Sequence, residues 1–339
     1  MLQYIFRRAL LMIPTLIGIT IVTFVIINLA PGGPVEQKIQ QMQMAGGLEA
    51  SGNNGSAEVT EEVIEALNKQ YGFDKPLTTR YIIWLKNIWN MDYGESFTYE
   101  EPAYDVIISK FPVSLQFGIA SLFLTYLICI PLGVFKAVND GSKFDIGSSV
   151  VLFVMYSIVP FMFGILLITF FAGESFLDIF PIGGLYSDEY DDLSFWGKAG
   201  DRLHHFILPL VSYMIGSFTT LTFLMKNSLL DEIKKDYVRT ARAKGLDKKA
   251  VYLKHALRNS LIPIVTGLGG FLSIFFAGSL LLETIFQLDG IGLLGYTSIL
   301  ARDYNVIMGL VFLQAIAMLI GNLISDLAYV LVDPRINFK

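Results

Sequence analysis

Few side chains in this sequence have the type and spacing that catalysis requires. The three histidines, His204, His205 and His255, are not spaced like a zinc-binding helix motif. The single cysteine, Cys129, has no second cysteine with which to form an internal disulfide. The sequence also lacks a Gly-x-x-x-x-Gly-Lys-Ser/Thr loop, which would hold the phosphates of ATP. The sequence alone therefore indicates no catalytic, metal or nucleotide site.

Asp326 is the one acid or base that falls within a predicted membrane span. An ionisable residue inside a membrane is a functional candidate by default. Because Asp326 lies close to the end of its span at Asp333, we expect water or a basic neighbour to satisfy it, in a structural pairing role. Ion-driven carriers need polar groups near the membrane midplane. Their scarcity here indicates that any energy source lies on another chain.

The richest chemistry lies in segment 226–258, which contains ten basic residues. Its composition predicts a helix over Leu229–Lys244, with cations in the last turns, where they suit the helix dipole. Gly245 fits the left-handed position just past a helix end. Asp247 is placed to cap a second helix over Lys248–Leu257. The segment thus predicts a helix–glycine–helix elbow.

Two interpretations of this elbow remain open on physical grounds. Its basic residues could simply touch anionic lipid headgroups. Alternatively, the elbow presents a rigid helix to a soluble partner, because a short helix joined to two spans would transmit a push that a soft loop would not.

The elements that position these residues are long uncharged segments. The chain has 339 residues, 53% hydrophobic and 16% charged, against about 25% charged in ordinary soluble proteins. A membrane-spanning helix needs roughly 20 mostly apolar residues. Six runs of at least 22 residues contain no Asp, Glu, Lys or Arg: 9–35, 111–135, 146–173, 203–225, 259–282 and 304–325. The sequence predicts an all-α membrane protein with six transmembrane helices, the first of them retained because it is longer than a signal-peptide core.

Charge asymmetry predicts the orientation of these spans. Segment 226–258 has ten basic residues, whereas 174–205 has two and 283–305 has one. Basic short loops remain on the cytoplasmic side of a membrane. We therefore expect both termini in the cytoplasm, and we expect 31–110, 174–205 and 283–305 to be external, with a negative charge balance.

Segment 31–110 forms a large external insert after the first span. Two helices are predicted in it, over Thr60–Gln70 and Pro76–Asn90. Between the first span and these helices, Ala45–Ser56 is rich in Gly, Asn and Ser, as flexible segments are.

Two features inside the spans bear on transport. Pro160 lies in the middle of the third run and is expected to kink it. The fifth run carries small residues on one face, which permit close helix packing in lipid or could line a pathway for a bulky solute. These residues are Gly267, Gly270, Ser273 and Ala277.

Segment Asp236–Gly245, Asp-Tyr-Val-Arg-Thr-Ala-Arg-Ala-Lys-Gly, carries a family resemblance. It is similar, residue for residue, to the cytoplasmic motif of permease subunits of bacterial ATP-binding-cassette (ABC) importers of the dipeptide/oligopeptide class. Ala30–Val35, the Gly/Asn-rich insert and Leu331–Phe338 resemble most the Yej-type branch, which is associated with peptides and the antibiotic microcin C. Other matching pieces run along nearly the whole chain: Tyr71–Pro76, Gly94–Ser96, Lys254–Asn259, Glu283–Phe286, Arg302–Tyr304 and Asp333–Arg335.

The resemblance implies a type I ABC importer permease fold in the bacterial inner membrane. It divides the chain into the N-terminus and first helix (1–30), the external segment (31–110) and the permease core (111–339). It implies as partners a second homologous permease, two ABC ATPase subunits and a periplasmic or lipid-anchored solute-binding protein. ATP and Mg would bind the ATPases, so this chain would need no cofactor and would not be an enzyme.

By the same resemblance, a coupling helix would seat on an ATPase, and the external loops would face the binding protein. The small-residue face of the fifth run would line the path. The coupling residues implied are Asp236, Tyr237, Arg239, Thr240, Ala241, Arg242, Ala243, Lys244 and Gly245.

Three alternatives remain. A permease of the same class could carry nickel chelates or another small solute. A stand-alone secondary transporter or channel would show midplane charges and inverted repeats, and neither is evident in the sequence. A membrane-anchored scaffold would use the elbow for docking alone.

Overall fold

The computed structural model describes residues 2–30, 32–33, 35–36, 39, 61–70, 72–173, 176–247, 251–267 and 278–332. Within these ranges the regular elements are helical, and a lone β-bridge joins Glu95 to Pro102. The α-helices are α1 (Leu2–Leu29), α2 (Glu61–Gln70), α3 (Leu77–Trp89), α4 (Ala103–Val138), α5 (Lys143–Ser157), α6 (Pro160–Phe171), α7 (Phe195–Ile233), α8 (Asp236–Ala243), α9 (Leu257–Ser260), α10 (Ile262–Thr266), α11 (Leu280–Ile285), α12 (Ile291–Leu300) and α13 (Tyr304–Val332). A 3-10 turn covers Tyr190–Asp192, and a π-helix covers Val251–Ala256.

Four of the described helices contain a segment long and apolar enough to cross a membrane: Phe6–Leu29, Ala103–Val138, Phe195–Ile233 and Tyr304–Leu327. The pair α5 and α6 adds a fifth span if it is counted as one bent segment. The remaining uncharged run, 259–282, includes residues 268–277, which lie outside the described ranges. The structure therefore supports a multi-pass helical membrane protein, and six spans stays a prediction.

The kink predicted at Pro160 is confirmed and is larger than an ordinary kink. α5 and α6 meet at an angle of 99°. Pro160 is the first residue of α6, and Val159 before it is extended. A proline lacks the backbone N–H that would continue α5, and it disfavours a helical conformation at the preceding residue. The same constraints suit proline to the first position of a helix.

The chain divides into two compact units. The larger comprises Met1–Arg8, Pro112–Leu293 and Ala317–Lys339. In it α7 contacts α5, α6 and the elbow that follows α7. One buried apolar cluster in this unit surrounds Met225, Leu229 and Ile264, and a second surrounds Phe117 and Phe286.

The second unit comprises Ala9–Phe111 and Leu294–Ile316. It brings together two motifs that are far apart in the sequence. The Ser96 hydroxyl donates to the carboxylate of Asp303, which is fully buried. The Asn305 amide donates to the Glu95 carbonyl at 2.7 Å. The contact between these motifs fixes the start of α13 against the turn before α4.

Both helices predicted in segment 31–110 are confirmed. The prediction Pro76–Asn90 corresponds to α3, which Pro76 and Asn90 flank. The prediction Thr60–Gln70 corresponds to α2, with Thr60 outside the described residues. The flexibility predicted for Ala45–Ser56 also concerns residues outside them.

Candidate coupling site

The elbow begins with a break in the helix. The prediction of one continuous helix over Leu229–Lys244 is wrong, because α7 ends at Ile233 and α8 starts at Asp236. Lys235 between them is extended, and its carbonyl accepts from the Val238 N–H at 3.1 Å.

Glu232 stabilises this break. It is buried, and its carboxylate accepts hydrogen bonds from the Lys235 ammonium and the Tyr237 hydroxyl. Charge-assisted hydrogen bonds of this kind are among the stronger ones in proteins. Helix propensity alone could not reveal the break, because Glu and Lys are both good helix formers.

α8, which we call the elbow helix, is held by one apolar face. Val238 is completely buried and Ala241 nearly so. Three residues apart, they lie on one side of the helix. They pack in a cluster with Leu229, Val251 and Tyr252. The elbow helix is therefore fixed to the end of α7 and to the π-helix.

The opposite face of the elbow helix is polar and exposed. It presents Asp236, Arg239, Thr240, Ala243 and Lys244. Asp236 and Arg239 form an ion pair at 3.6 Å, and both side chains are more than two-thirds exposed. Such a surface pair contributes about 1 kcal/mol or less to stability. Its side chains are thus free to reorganise against a partner.

Gly245 ends the elbow helix in the predicted left-handed conformation, with φ of +81°. Its N–H donates to the Arg242 carbonyl at 2.9 Å, and the Lys244 N–H donates to the Thr240 carbonyl at 3.1 Å. A Cβ at Gly245 would meet no atom within 4 Å. The glycine is required by its backbone angle and not by crowding.

The second half of the elbow differs from the prediction. Of the helix predicted over Lys248–Leu257, residues 248–250 lie outside the described ranges, and the rest is mainly π-helix. The prediction of an ordinary α-helix is wrong there. A π-helix rotates its side chains relative to an α-helix of the same sequence, and it is frequent at functional sites.

Side chains tie the two halves of the elbow together. The Arg242 guanidinium donates to the Tyr252 hydroxyl and lies 5.1 Å from the centre of its ring. The Asn259 amide donates to the Tyr237 hydroxyl at 3.0 Å. Three residues predicted at the coupling site, Tyr237, Ala241 and Arg242, therefore contribute to internal packing or bonding. Tyr252 carried no signal in the sequence, and Asn259 appeared there only as the end of the family-matching segment Lys254–Asn259.

A largely buried charge cluster connects α4, α5 and α7, the helix that precedes the elbow. The Lys226 ammonium of α7 lies 2.8 and 2.7 Å from the two carboxylate oxygens of Asp145 in α5. The Lys136 ammonium of α4 is fully buried, 3.1 Å from Asp145 and 2.6 Å from the Ser148 hydroxyl. Asp140 adds a contact to Lys226 at 2.9 Å.

We call these residues, Lys136, Asp140, Asp145 and Lys226, the charge cluster. The cluster joins three helices of the larger unit, and its member on α7, Lys226, lies ten residues before Asp236, the start of the elbow helix. Sequence reasoning missed it because its members lie at the ends of uncharged runs, where a solvated charge is the ordinary expectation.

Of the remaining predicted site residues, two lie in the part of the chain that the structure describes and three lie outside it. Asp326 pairs with Arg8 at 3.0 Å, which agrees with the structural pairing predicted for it. Gly267 follows the end of α10. Gly270, Ser273 and Ala277 lie outside the described residues, so the small-residue face stays a prediction.

The described side chains show no arrangement for metal chemistry. Across those ranges no group of three or more His, Cys, Asp or Glu residues is placed to hold a metal ion. His204 and His205 lie against backbone carbonyls of Ile179 and Asp201. What the larger unit presents is an exposed polar helix, rigidly mounted on a long apolar helix.

These features define a class: a multi-pass helical membrane protein whose basic elbow is packed firmly against the end of a long helix. The chain belongs to the family described as binding-protein-dependent transport system inner membrane component, whose profile matches residues 129–338. It is therefore an inner-membrane permease component, and the match covers the elbow and the charge cluster.

Relatives that match over their full length show which branch of this permease family the chain is similar to. The chain is 45% identical to the peptidoglycan transport system permease protein YejB of Agrobacterium fabrum, over 99% of this chain and 98% of that protein. It is 41% identical to the inner membrane ABC transporter permease protein YejB of Escherichia coli O157:H7, over 99% of both chains. It is 36% identical to the oligopeptide transport system permease protein AppB of Bacillus subtilis, over 100% of both. The resemblance to the dipeptide/oligopeptide class and its Yej-type branch is confirmed.

Proposed function

We propose that this permease carries peptides or peptide-like solutes inward, in a complex driven by ATP on other subunits. The observation that carries the proposal is the exposed face of the elbow helix, within a chain that matches peptide-system permeases over its full length. Microcin C belongs to the same chemical class of solute and is proposed on the resemblance alone.

The elbow helix acts in this proposal as the coupling helix. Its exposed face, with Asp236, Arg239 and Lys244, seats on an ABC ATPase. Val238 and Ala241 transmit the displacement to α7, because buried contacts do not yield as a flexible loop would. The charge cluster passes it on to α4 and α5 through Lys226 and Asp145. The spans then change between two rigid-body arrangements.

The proposed topology has six spans and both termini in the cytoplasm. The contact between Arg8 and Asp326 supports it, since it brings the beginning of α1 to the later part of α13. The ten basic residues of 226–258 support a cytoplasmic elbow.

The partners proposed are a second homologous permease, two ABC ATPases that hold ATP and Mg, and a periplasmic or lipid-anchored solute-binding protein. The family description itself refers to transport that depends on a binding protein. The segments with a negative balance, 31–110, 174–205 and 283–305, would face that protein on the external side.

Crosslinking tests the coupling role. Arg239→Cys places a thiol on the exposed face, and Lys143→Cys places one at a position that is also exposed, at the start of α5. The native Cys129 is buried and gives little background. With a short maleimide–benzophenone reagent in native membranes, we expect the thiol at position 239 to capture an ATPase and that at 143 to capture much less. Equal capture, or none from position 239, would contradict the proposal.

Reconstitution tests the solute and the energy source. The whole importer in liposomes is expected to hydrolyse ATP faster when its binding protein is loaded with short peptides, and to accumulate peptide only with ATP. Stimulation by nickel chelates alone would favour the small-solute alternative. Uptake by this chain without any ATPase would favour a secondary transporter.

A further inference from the structure

Helix α3 belongs to the segment expected to be external, yet it contacts two spanning helices well below their ends. The Tyr81 hydroxyl lies 2.9 Å from the Thr20 hydroxyl of α1, and its ring lies 5.4 Å from that of Phe24. The Trp84 ring lies 6.1 Å from that of Phe312 in α13. All of these residues belong to the smaller unit.

The rise of an α-helix gives the distance of each contact from the end of its spanning helix, and so its depth in the membrane. Thr20 lies nine residues before Leu29, the end of α1, which is roughly 13 Å at 1.5 Å per residue. Phe312 lies eight residues after Tyr304, the start of α13, which is roughly 12 Å. The hydrocarbon core of a bilayer is about 30 Å thick. Both contacts therefore fall near the middle of the two spans.

The length of the Tyr81 side chain sets a minimum depth for the backbone of α3. A tyrosine side chain reaches roughly 6–7 Å from its Cα, given carbon–carbon bonds near 1.5 Å. Even if Tyr81 points straight down toward Thr20, its Cα lies roughly 3–4 Å below the level of Leu29. The helix cannot lie wholly in the external water.

The other face of α3 carries three exposed apolar side chains, with the exposed Lys86 beside them. Ile82 is 64% exposed, Trp89 is 89% exposed and Leu85 is 37% exposed. Their spacing of three and four residues places them along one ridge. The exposed residues Val22, Ile26 and Leu29 make a similar ridge on α1, the span against which α3 packs. The two helices α3 and α1, which pack against each other, thus each carry an uncovered apolar ridge.

The charges on α3 are compatible with this depth. Arg80 does not point outward but lies with its guanidinium 4.0 Å from the centre of the Phe73 ring. Lys86 is exposed, and its four-carbon chain can carry the ammonium to the headgroup level. In the described chain α3 carries no acidic residue.

We propose that α3 is a half-inserted helix whose ridge of Ile82, Leu85 and Trp89 contacts acyl chains of the outer leaflet. Lipid is the occupant because the ridge lies at hydrocarbon depth, on a helix packed against a span whose own apolar side chains are exposed. The external segment therefore has a membrane anchor, which holds the link between Gly94–Ser96 and Asp303 at the surface. This inference rests on the proposed membrane placement of the spans.

Spin-label accessibility in the complete importer, reconstituted in phosphatidylethanolamine–phosphatidylglycerol liposomes, tests the proposal. Nitroxides are attached to Ile82→Cys and Trp89→Cys. Ile26→Cys on α1 serves as the lipid-facing control, and Asp74→Cys serves as the water-facing control. We expect positions 82 and 89 to match position 26, with oxygen collision exceeding that of a water-soluble nickel chelate by about threefold or more.

Each other outcome has a definite meaning. If labels at 82 and 89 match position 74, the ridge faces water and the inference is overturned. If they are immobilised in the complete importer, a protein subunit covers the ridge, which also overturns it. If the label at Ile26 itself meets the nickel chelate, the placement of the span fails, and with it the proposed function.

Discussion

Gly245 has a left-handed backbone conformation. For a residue with a Cβ, this conformation costs about 1–2 kcal/mol of free energy. Since the space around it is empty, Gly245→Ala adds only this strain. We expect the end of the elbow helix to shift and substrate-stimulated ATP hydrolysis by the importer to fall several-fold. The measurement is the ratio of stimulated to basal hydrolysis in liposomes.

Gly72→Ala is the matched control for this prediction. Gly72 also has a positive φ, of +72°, with no atom within 4 Å of a Cβ, and it precedes α3. It should lower the unfolding temperature about equally and leave the hydrolysis ratio unchanged. An equal loss of coupling in both variants would show that general strain is responsible.

Asp145 is the carboxylate that two buried lysines share. Asp145→Asn leaves the fully buried Lys136 without its charge partner and leaves Lys226 with only the exposed Asp140, and breaking a buried pair in this way costs about 3–5 kcal/mol. We expect a large fall in the unfolding temperature of the purified importer. Asp140→Asn removes a contact from an exposed carboxylate, worth about 1 kcal/mol or less, and should change it little. Similar shifts in the two variants would refute the role given to Asp145.

The elbow helix is eight residues long, so its order depends on packing and not on its own propensity. Val238→Ala removes two methyl groups from a fully buried position, a loss of about 2 kcal/mol. We expect faster trypsin cleavage at Lys234 and Lys235 in inside-out vesicles, because the helix detaches more often.

Thr240→Ala, on the exposed face of the same helix, is the control for that experiment. It removes only the hydroxyl's bond to the Asp236 carbonyl, at 2.9 Å. Its cleavage rate should stay close to that of the unaltered chain. Rates that rise equally would mean that Val238 does not anchor the helix.

At the scale of the whole molecule, the proposed topology predicts which segments a membrane-impermeant maleimide can reach. Asp188→Cys, in segment 174–205, should be labelled in intact spheroplasts. Lys244→Cys, on the elbow, should be labelled only after the membrane is permeabilised. Both positions are exposed, so access depends on the side of the membrane. Labelling of Lys244→Cys from outside would invert the topology.

Sequence and structure agree best where a single residue type imposes the geometry. Pro160 separates α5 from α6 because proline fixes φ and lacks a backbone N–H. Gly245 ends the elbow helix because glycine adopts a positive φ without a steric penalty. The helix over Leu77–Trp89 was predictable from its apolar period within one or two residues. Its depth against Thr20 and Phe312 was not, because an aromatic stripe has the same pattern in a core and at a membrane.

The sequence by itself determined that this chain is a helical membrane protein and that 226–258 forms an elbow, since long uncharged runs and a charged loop can be read residue by residue. Only the tertiary structure decided that Glu232 supports a break at Lys235, that Val238 faces inward and that Lys136, Asp145 and Lys226 form one cluster. The physical reason is that a charge at a helix end has the same sequence signature whether water or another helix solvates it. Which of the two applies depends on how helices distant in the sequence pack.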